Sequence, residues 1–476
     1  MGSHGNAILP NGGGPRGVLA IPMAHPPAAD REIGLPSPIP LHTLPAGGSF
    51  PLPAVGLFFA RAGPDSPRYA SNSMKKSYIF SPGPTEVPAE VLLAGARPTV
   101  HHRSADFPPI FKRCQEKLQK IFRTQSPIAI LASSGTGAVE AAMISTTAPG
   151  EKTIVFNGGK FGERWVKVGQ AYGMNVIELK SDWGKALDIA LLEETLAKNP
   201  DTKSVVITQT ETSTGTVSDI RRVGEVVSKT KALSIVDAVS AFAAEELPQD
   251  DWKIDLVCTG SQKAMMLPPG LGFASVSAKA QEVMKAKGSP CFYLDLRRYL
   301  KAITSGDDTP FTPAVNLFYS LEKACDMLLE EGMENNWARH TVLSRASRAA
   351  MVALGVELYS ERPSVVVTAA NLPAGVEWSK FNKQLKTRGI TIAGGQDHMQ
   401  GKIFRFGTLG YYNVFDVVTI VGAIEMALAA CGHKFEMGKG LAAAMEVLRA
   451  YDPAKGWVAA EEATRGLEPV AALLPA

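Results

Sequence analysis

The chain holds 476 residues, 45% of them hydrophobic and 20% charged, with a formal net charge of +3. That length accommodates two or three domains around a large core, and the balance is that of a soluble globular protein. So small a charge gives no ground for a nucleic acid or an acidic membrane as partner. Five cysteines, Cys114, Cys258, Cys291, Cys325 and Cys431, are scattered and form no C-x-x-C pair. They point to a reducing cytoplasm rather than a disulfide framework or a zinc site. No segment reaches the roughly 20 apolar residues of a membrane span; FPLPAVGLFFA, residues 50–60, is short and carries two prolines.

Residues 1–73 are rich in Gly, Pro and Ala and contain no lysine, the first being Lys75. Without a persistent period they cannot bury enough apolar surface to offset their ordering entropy. They read as a disordered extension, and Met74 opens a sensible sequence of its own. The start, MGSHGNAILPNGGG, lacks the positive residues and early apolar run of a secretory signal.

From residue 77 apolar runs alternate with amphipathic ones. The strand candidates are IAILAS (128–133), KTIVFNG (152–158), SVVITQT (204–210), LSIVDAV (233–239), DLVCTGS (255–261) and GFASVS (272–277). Helix candidates such as TGAVEAAMIST and RWVKVGQAYG lie between them. Continuous apolar strands joined by helices predict an α/β fold with a parallel sheet covered on both faces. A long helical stretch, 316–355, breaks near Gly332. It leads from a large domain, 77–330, into a smaller C-terminal α/β domain, 331–450. There a strand (SVVVTAANL), a helix (EWSKFNKQLKTRG), strands (ITIAGG and KIFRFGTLG) and a final helix (VFDVVTIVGAIEMALAACG) succeed one another. KGLAAAMEVLRAYD reads as one more helix, and 451–476 as a weakly ordered tail.

Five features carry chemistry. SSGTGAVEAAM (133–143) follows a strand and starts a helix, so its small residues expose backbone N–H groups at a positive helix end, which suits a phosphate. It also reads as a plain Gly-containing turn. Asp237 stands at the C-terminal end of a strand, where open α/β sheets gather ligands; a loop or helix cap is its other reading. Lys263 lies between DLVCTG and the apolar turn AMMLPPGLGF. Desolvation there lowers the pKa of the ammonium group, and a neutral amine attacks carbonyls. Its bland alternative is a surface loop lysine. Arg405 in KIFRFGTLG is either a two-pronged grip for a carboxylate or an edge-strand arginine facing water. Phe161 in NGGKFGERW either stacks on a flat ligand or simply packs. A Schiff-base lysine with an acid for a pyridinium nitrogen is the protein side of pyridoxal phosphate chemistry.

The ordered set SPGPTEVP, HHRS, SSGTGAVEAA, NGGKFGERW, ETSTGT, VDAVSA, GSQKAMMLPPG and FRFGTLG, across residues 77–450, resembles the class V aminotransferases of fold type I. It is most similar to their alanine–glyoxylate and serine–glyoxylate branch. The resemblance implies a mostly parallel seven-stranded sheet, pyridoxal 5'-phosphate as cofactor, and a homodimer with shared active sites. By the same resemblance Lys263 binds the cofactor covalently and Asp237 pairs with its pyridine nitrogen. Gly135, Thr136 and Gln262 hold the phosphate, and Thr212 meets the phenolic oxygen. Phe161, where this branch often has a tryptophan, and Val239 cover the two ring faces. Arg405, helped by backbone near Gly83, takes the substrate carboxylate, and Thr312 reaches a phosphate across the dimer interface. The implied activity moves an amino group from alanine or serine to a 2-oxo acid, glyoxylate above all.

Three rivals share the pattern. Phosphoserine or phosphonate amino transfer needs extra basic groups, for which Arg103 is available. A cysteine desulfurase needs a reactive cysteine on a mobile late loop, a description that neither Cys325 nor Cys431 fits. A non-catalytic, partner-binding protein is implied by relatives named as soluble hydrogenase subunits, although no paired cysteines suggest a metal cluster. His101 and His102 have no third ligand at a sensible spacing, so no metal is expected.

Overall fold

The computed structural model describes residues 76–467. The expected extension, 1–73, therefore lies outside the described residues. In chain order the strands are β1 (Tyr78–Ile79), β2 (Ile128–Leu131), β3 (Lys152–Asn157), β4 (Asn175–Lys180), β5 (Ser204–Thr208), β6 (Thr210–Glu211) and β7 (Thr216–Val217). They continue with β8 (Leu233–Asp237), β9 (Leu256–Gly260), β10 (Gly272–Val276), β11 (Val367–Asn371), β12 (Ile390–Thr391), β13 (Ala393–Gly394) and β14 (Ile403–Gly407).

Seven strands form the main sheet in the order β2-β10-β9-β8-β5-β3-β4. β10 runs antiparallel to β2 and β9; the other pairs are parallel. The expected mostly parallel seven-stranded sheet is therefore present. Its interior strands β5, β8, β9 and β10 are buried at every residue, which explains their unbroken apolar runs. β4 is the strand missing from the expected set. It lies at the sheet edge and is mostly uncovered, so NVIELK carries Glu178 and Lys180 and reads as loop.

The parallel strands β3, β5, β8 and β9 end on one rim, which positions the site. The helix Gly135–Thr146 starts from that rim after β2. Its Ala138, Ala141 and Ala142 are fully buried, so small side chains let it lie directly on the sheet.

The second layer holds an antiparallel sheet, β11-β14-β13. ITIAGG, expected as one strand, divides in two: β12 pairs in parallel with β1, whereas β13 pairs with β14. The first pairing carries the segment after β1 across to the rim of the main sheet. The helices Val315–Glu331 and Met333–Ala353 meet at Gly332, whose φ of 82° ends the first.

The expectation of weak order from 451 fails over Gly456–Thr464, which is a helix. Trp457, Ala460 and Thr464 recur at helical spacing and are buried. Arg345 of Met333–Ala353 donates to Glu461 O at 3.0 Å and Thr464 Oγ1 at 3.1 Å. Tertiary contact thus orders a segment whose composition is unremarkable. Among the described residues no helix is long and apolar enough to cross a membrane.

Candidate active site

Lys263 lies in the turn between β9 and β10. Ser261 braces that turn by donating to Pro268 O at 2.8 Å and accepting from Leu271 N at 3.1 Å. The segment after β1 closes over it. Thr85 N donates to Gln262 O at 3.2 Å and Thr85 Oγ1 to Lys263 O at 3.0 Å. Lys263 is 7% exposed, and its Nζ donates to Pro82 O. Gly83 adopts φ 100°, and a Cβ there would stand 2.4 Å from Lys263 Cδ. Only glycine fits at this point of the segment after β1, against this lysine. Burial lowers the Lys263 pKa to about 8; the charge of Asp237 opposes this, while Arg405 and Arg164 add to it.

Asp237 ends β8 and is 3% exposed. Its Oδ1 accepts from Val239 N at 3.0 Å, and its Oδ2 from the Trp165 indole at 2.9 Å. Burial raises its pKa to about 6, against the pull of these two donors. The loop reading of Asp237 is half right: it does cap the turn at Val239, with its second oxygen turned to Trp165.

Arg405 sits on β14, 6% exposed, with burial lowering its pKa to about 10. It does not face water. Nε and Nη2 both donate to Gly394 O, at 3.0 and 2.7 Å, and Nη1 to Thr212 O at 2.7 Å. Three of five N–H bonds are thus used. One on each terminal nitrogen remains, available to a carboxylate.

Phe161 begins the turn of the helix Lys160–Ala171. The Arg164 guanidinium lies 4.7 Å from its ring and donates to Thr136 Oγ1 at 2.9 Å. Thr212 shares a hydrogen bond with Ser240. Gly135, Val239, Gly260 and Gln262 crowd together at the start of Gly135–Thr146. A Cβ on Gly135 would lie 2.5 Å from Val239 Cγ2, and one on Gly260 would lie 2.9 Å from Gln262 Oε1. Thr312 stands apart: it is exposed, and its hydroxyl faces His102 Nε2 at 3.5 Å.

Three groups escaped the sequence reading. Trp165 follows Phe161 by four residues, so one helical face presents both, a spacing that was legible. Glu211, just ahead of Thr212, is buried and accepts from Phe161 N at 3.0 Å, Gly162 N at 3.1 Å, Ser213 N at 3.1 Å and Ser213 Oγ at 2.6 Å. It clamps the open end of Lys160–Ala171, and burial raises its pKa. Arg164, the third, had no signal beyond its charge.

Residues 77–416, which hold all of these groups, match the model of the class V aminotransferase family. The chain belongs to that family. A soluble hydrogenase 42 kDa subunit from Anabaena cylindrica is 42% identical over 78% of this chain and 98% of its own. The serine–glyoxylate aminotransferase of Arabidopsis thaliana is 34% identical, over 79% and 96%. Among solved structures, the ureidoglycine–glyoxylate aminotransferase of Bacillus subtilis superposes with a TM-score of 0.74 at 28% identity, covering 79% of this chain and 99% of that one. The fold is type I, and this class V aminotransferase is a transaminase dependent on pyridoxal 5'-phosphate.

The residues present fit that cofactor. Gln262 Oε1 is buried without a hydrogen-bond partner at the head of Gly135–Thr146, a helix with no side-chain cap. An uncapped helix end offers the N–H donors that a phosphate group would accept from, and Gln262, whose oxygen is itself an acceptor, would join them through its amide NH2.

Proposed function

We propose that this aminotransferase moves the amino group of a small donor, alanine or serine, to a 2-oxo acid, glyoxylate above all. The observation that carries the reading is the Arg405 fork, buried beside Lys263 and aimed by Gly394 and Thr212. The two further arginines considered for a phosphorylated donor are already engaged. Arg103 is paired with Asp308 and donates to Thr309 O at 3.0 Å, and Arg164 holds Thr136. The Arabidopsis relative, named for serine and glyoxylate, supports the same choice.

In this reading Lys263 would bind the cofactor and Asp237 would hold a proton on its pyridine nitrogen. Gly135, Thr136 and Gln262 would seat the phosphate, Thr212 would take the phenolic oxygen, and Phe161 and Val239 would cover the ring. When bound, the cofactor supplies an electron sink for negative charge at the donor α-carbon. Arg405 and the backbone at Gly83 orient the donor carboxylate. Lys263 Nζ, when not itself bound to the cofactor, would take the α-proton and return it, and its burial favours the neutral amine that this needs. Glu211 keeps Phe161 and Arg164 in place by clamping their helix.

A cytoplasmic homodimer completes the proposal. All five cysteines are free, and Leu93, Phe292 and Phe415 are exposed at 71%, 65% and 77%, which suits burial by a second copy. The exposed Thr312 suits a contact across that interface.

A donor–acceptor matrix scored by product identity tests the substrates. Serine or alanine with glyoxylate should exceed phosphoserine by at least roughly tenfold in kcat/KM, the scale of one well-placed ionic contact. Lys263→Ala should bind cofactor weakly and lose turnover; normal turnover in it would end the assignment. A second reading, partner binding without catalysis, is favoured by the identity to the Anabaena subunit. It gains ground only if the purified protein takes up no pyridoxal phosphate.

A further inference from the structure

We propose that the indole of Trp165 is a positioning residue for Asp237, and through it sets how firmly the chain grips the pyridine nitrogen of its cofactor. The inference rests on the role given to Asp237 above.

Trp165 is 1% exposed and lies one turn after Phe161 in Lys160–Ala171. Its Nε1 donates to Asp237 Oδ2 at 2.9 Å and meets Thr208 Oγ1 at 3.2 Å. The single indole proton is thus shared, with the carboxylate nearer. Asp237 Oδ1 is held by Val239 N at 3.0 Å. Each carboxylate oxygen therefore has one protein donor, and the two together set the plane of the group.

The chemistry of the donor matters as much as its place. A carboxyl group buried this deeply tends to keep its proton, and a protonated Asp cannot hold a pyridinium. The negative charge of Glu211 pushes the same way. An indole N–H only donates, so it stabilises the ionised carboxylate more than the neutral acid. A phenylalanine at 165 would fill most of the same space without donating. The residue thus acts on the cofactor without touching it.

The test compares binding of pyridoxal 5'-phosphate with binding of its 1-deaza analogue, in which carbon replaces the ring nitrogen. Wild type should prefer the natural cofactor. Trp165→Phe should weaken that cofactor about tenfold, the scale of a charge-assisted hydrogen bond, and leave the analogue unchanged. In an Asp237→Asn background the same substitution should cost nothing further. Equal loss for both ligands, or a loss that persists undiminished in the Asp237→Asn background, would mean that Trp165 only packs. If wild type fails to distinguish the two ligands, the role of Asp237 falls and this inference with it. Should Trp165→Phe not fold, the indole N–H signal in labelled wild type, identified by its shift in Asp237→Asn, decides. It should move with the natural cofactor and stay with the analogue; equal movement would overturn the proposal.

Discussion

Replacing Lys263 by methionine should stabilise the cofactor-stripped protein against an ionic cost that wild type bears. Burial takes the lysine pKa from 10.5 to about 8. At about 1.36 kcal/mol for each pH unit, holding the ammonium in the fold costs roughly 3 kcal/mol at neutral pH. The sign follows from proton counts. Between pH 8 and 10.5 the unfolded chain keeps the proton while the folded chain has lost it, so wild-type stability rises with pH across that window. Below pH 8 both states are charged and the penalty is complete. Methionine matches the length of the side chain and suits its neighbours Met265 and Met266, both buried. It also leaves Pro82 O without its partner, which returns about 1–3 kcal/mol. The net gain at pH 7 is therefore small, and the slope is the sharper measure. Urea titrations of both proteins, repeated from pH 7 to 10.5, should show wild type gaining up to roughly 3 kcal/mol on the variant. Parallel curves would refute the argument, because they would mean that Lys263 is solvated in the fold.

Two further outcomes follow from the geometry. Arg405→Lys removes the paired N–H edge, so kcat/KM for carboxylate donors should fall by roughly ten- to a hundredfold; turnover of an amine lacking the carboxylate should be spared, and equal loss of both would exclude a carboxylate grip. Glu245, buried against Thr210 Oγ1 and Val365 N, has its pKa raised by burial to about 7. The unfolded carboxyl ionises near 4.5, so wild type loses stability as pH rises from 4.5 to 7, by at most about 3 kcal/mol. Glu245→Gln should escape that loss, and melting curves at pH 4.5 and 8 check it: the variant's advantage must appear only at the higher pH.

How much of the site could be read in advance differs from residue to residue. Lys263 was legible because its apolar, proline-rich surroundings are continuous in the chain. Asp237 was legible because a charged residue ended an otherwise apolar strand. Arg405, by contrast, looked equally like a surface residue. Its burial depends on Gly394 and Thr212, which are 11 and 193 residues away. Glu211 and Trp165 were overlooked for a related reason. Each makes its decisive contact with a residue distant in sequence: Glu211 lies 50 positions from Phe161, and Trp165 lies 72 from Asp237.

Local order shows the same division. The interior strands announced themselves by unbroken apolar runs, since both their faces are covered. Edge strand β4 and the helix Gly456–Thr464 did not, because each depends on what lies beside it.

Residue type and spacing along the chain were enough to determine the α/β class, the order of the proposed phosphate seat, acid and lysine, and their family. Those properties depend on neighbours close in sequence and on faces buried in any such fold. Tertiary structure alone decided which charges are desolvated, which oxygens they meet and how many N–H groups of Arg405 stay free. Electrostatic cost and hydrogen-bond direction vary over a few ångströms, and only packing of distant segments sets distances on that scale.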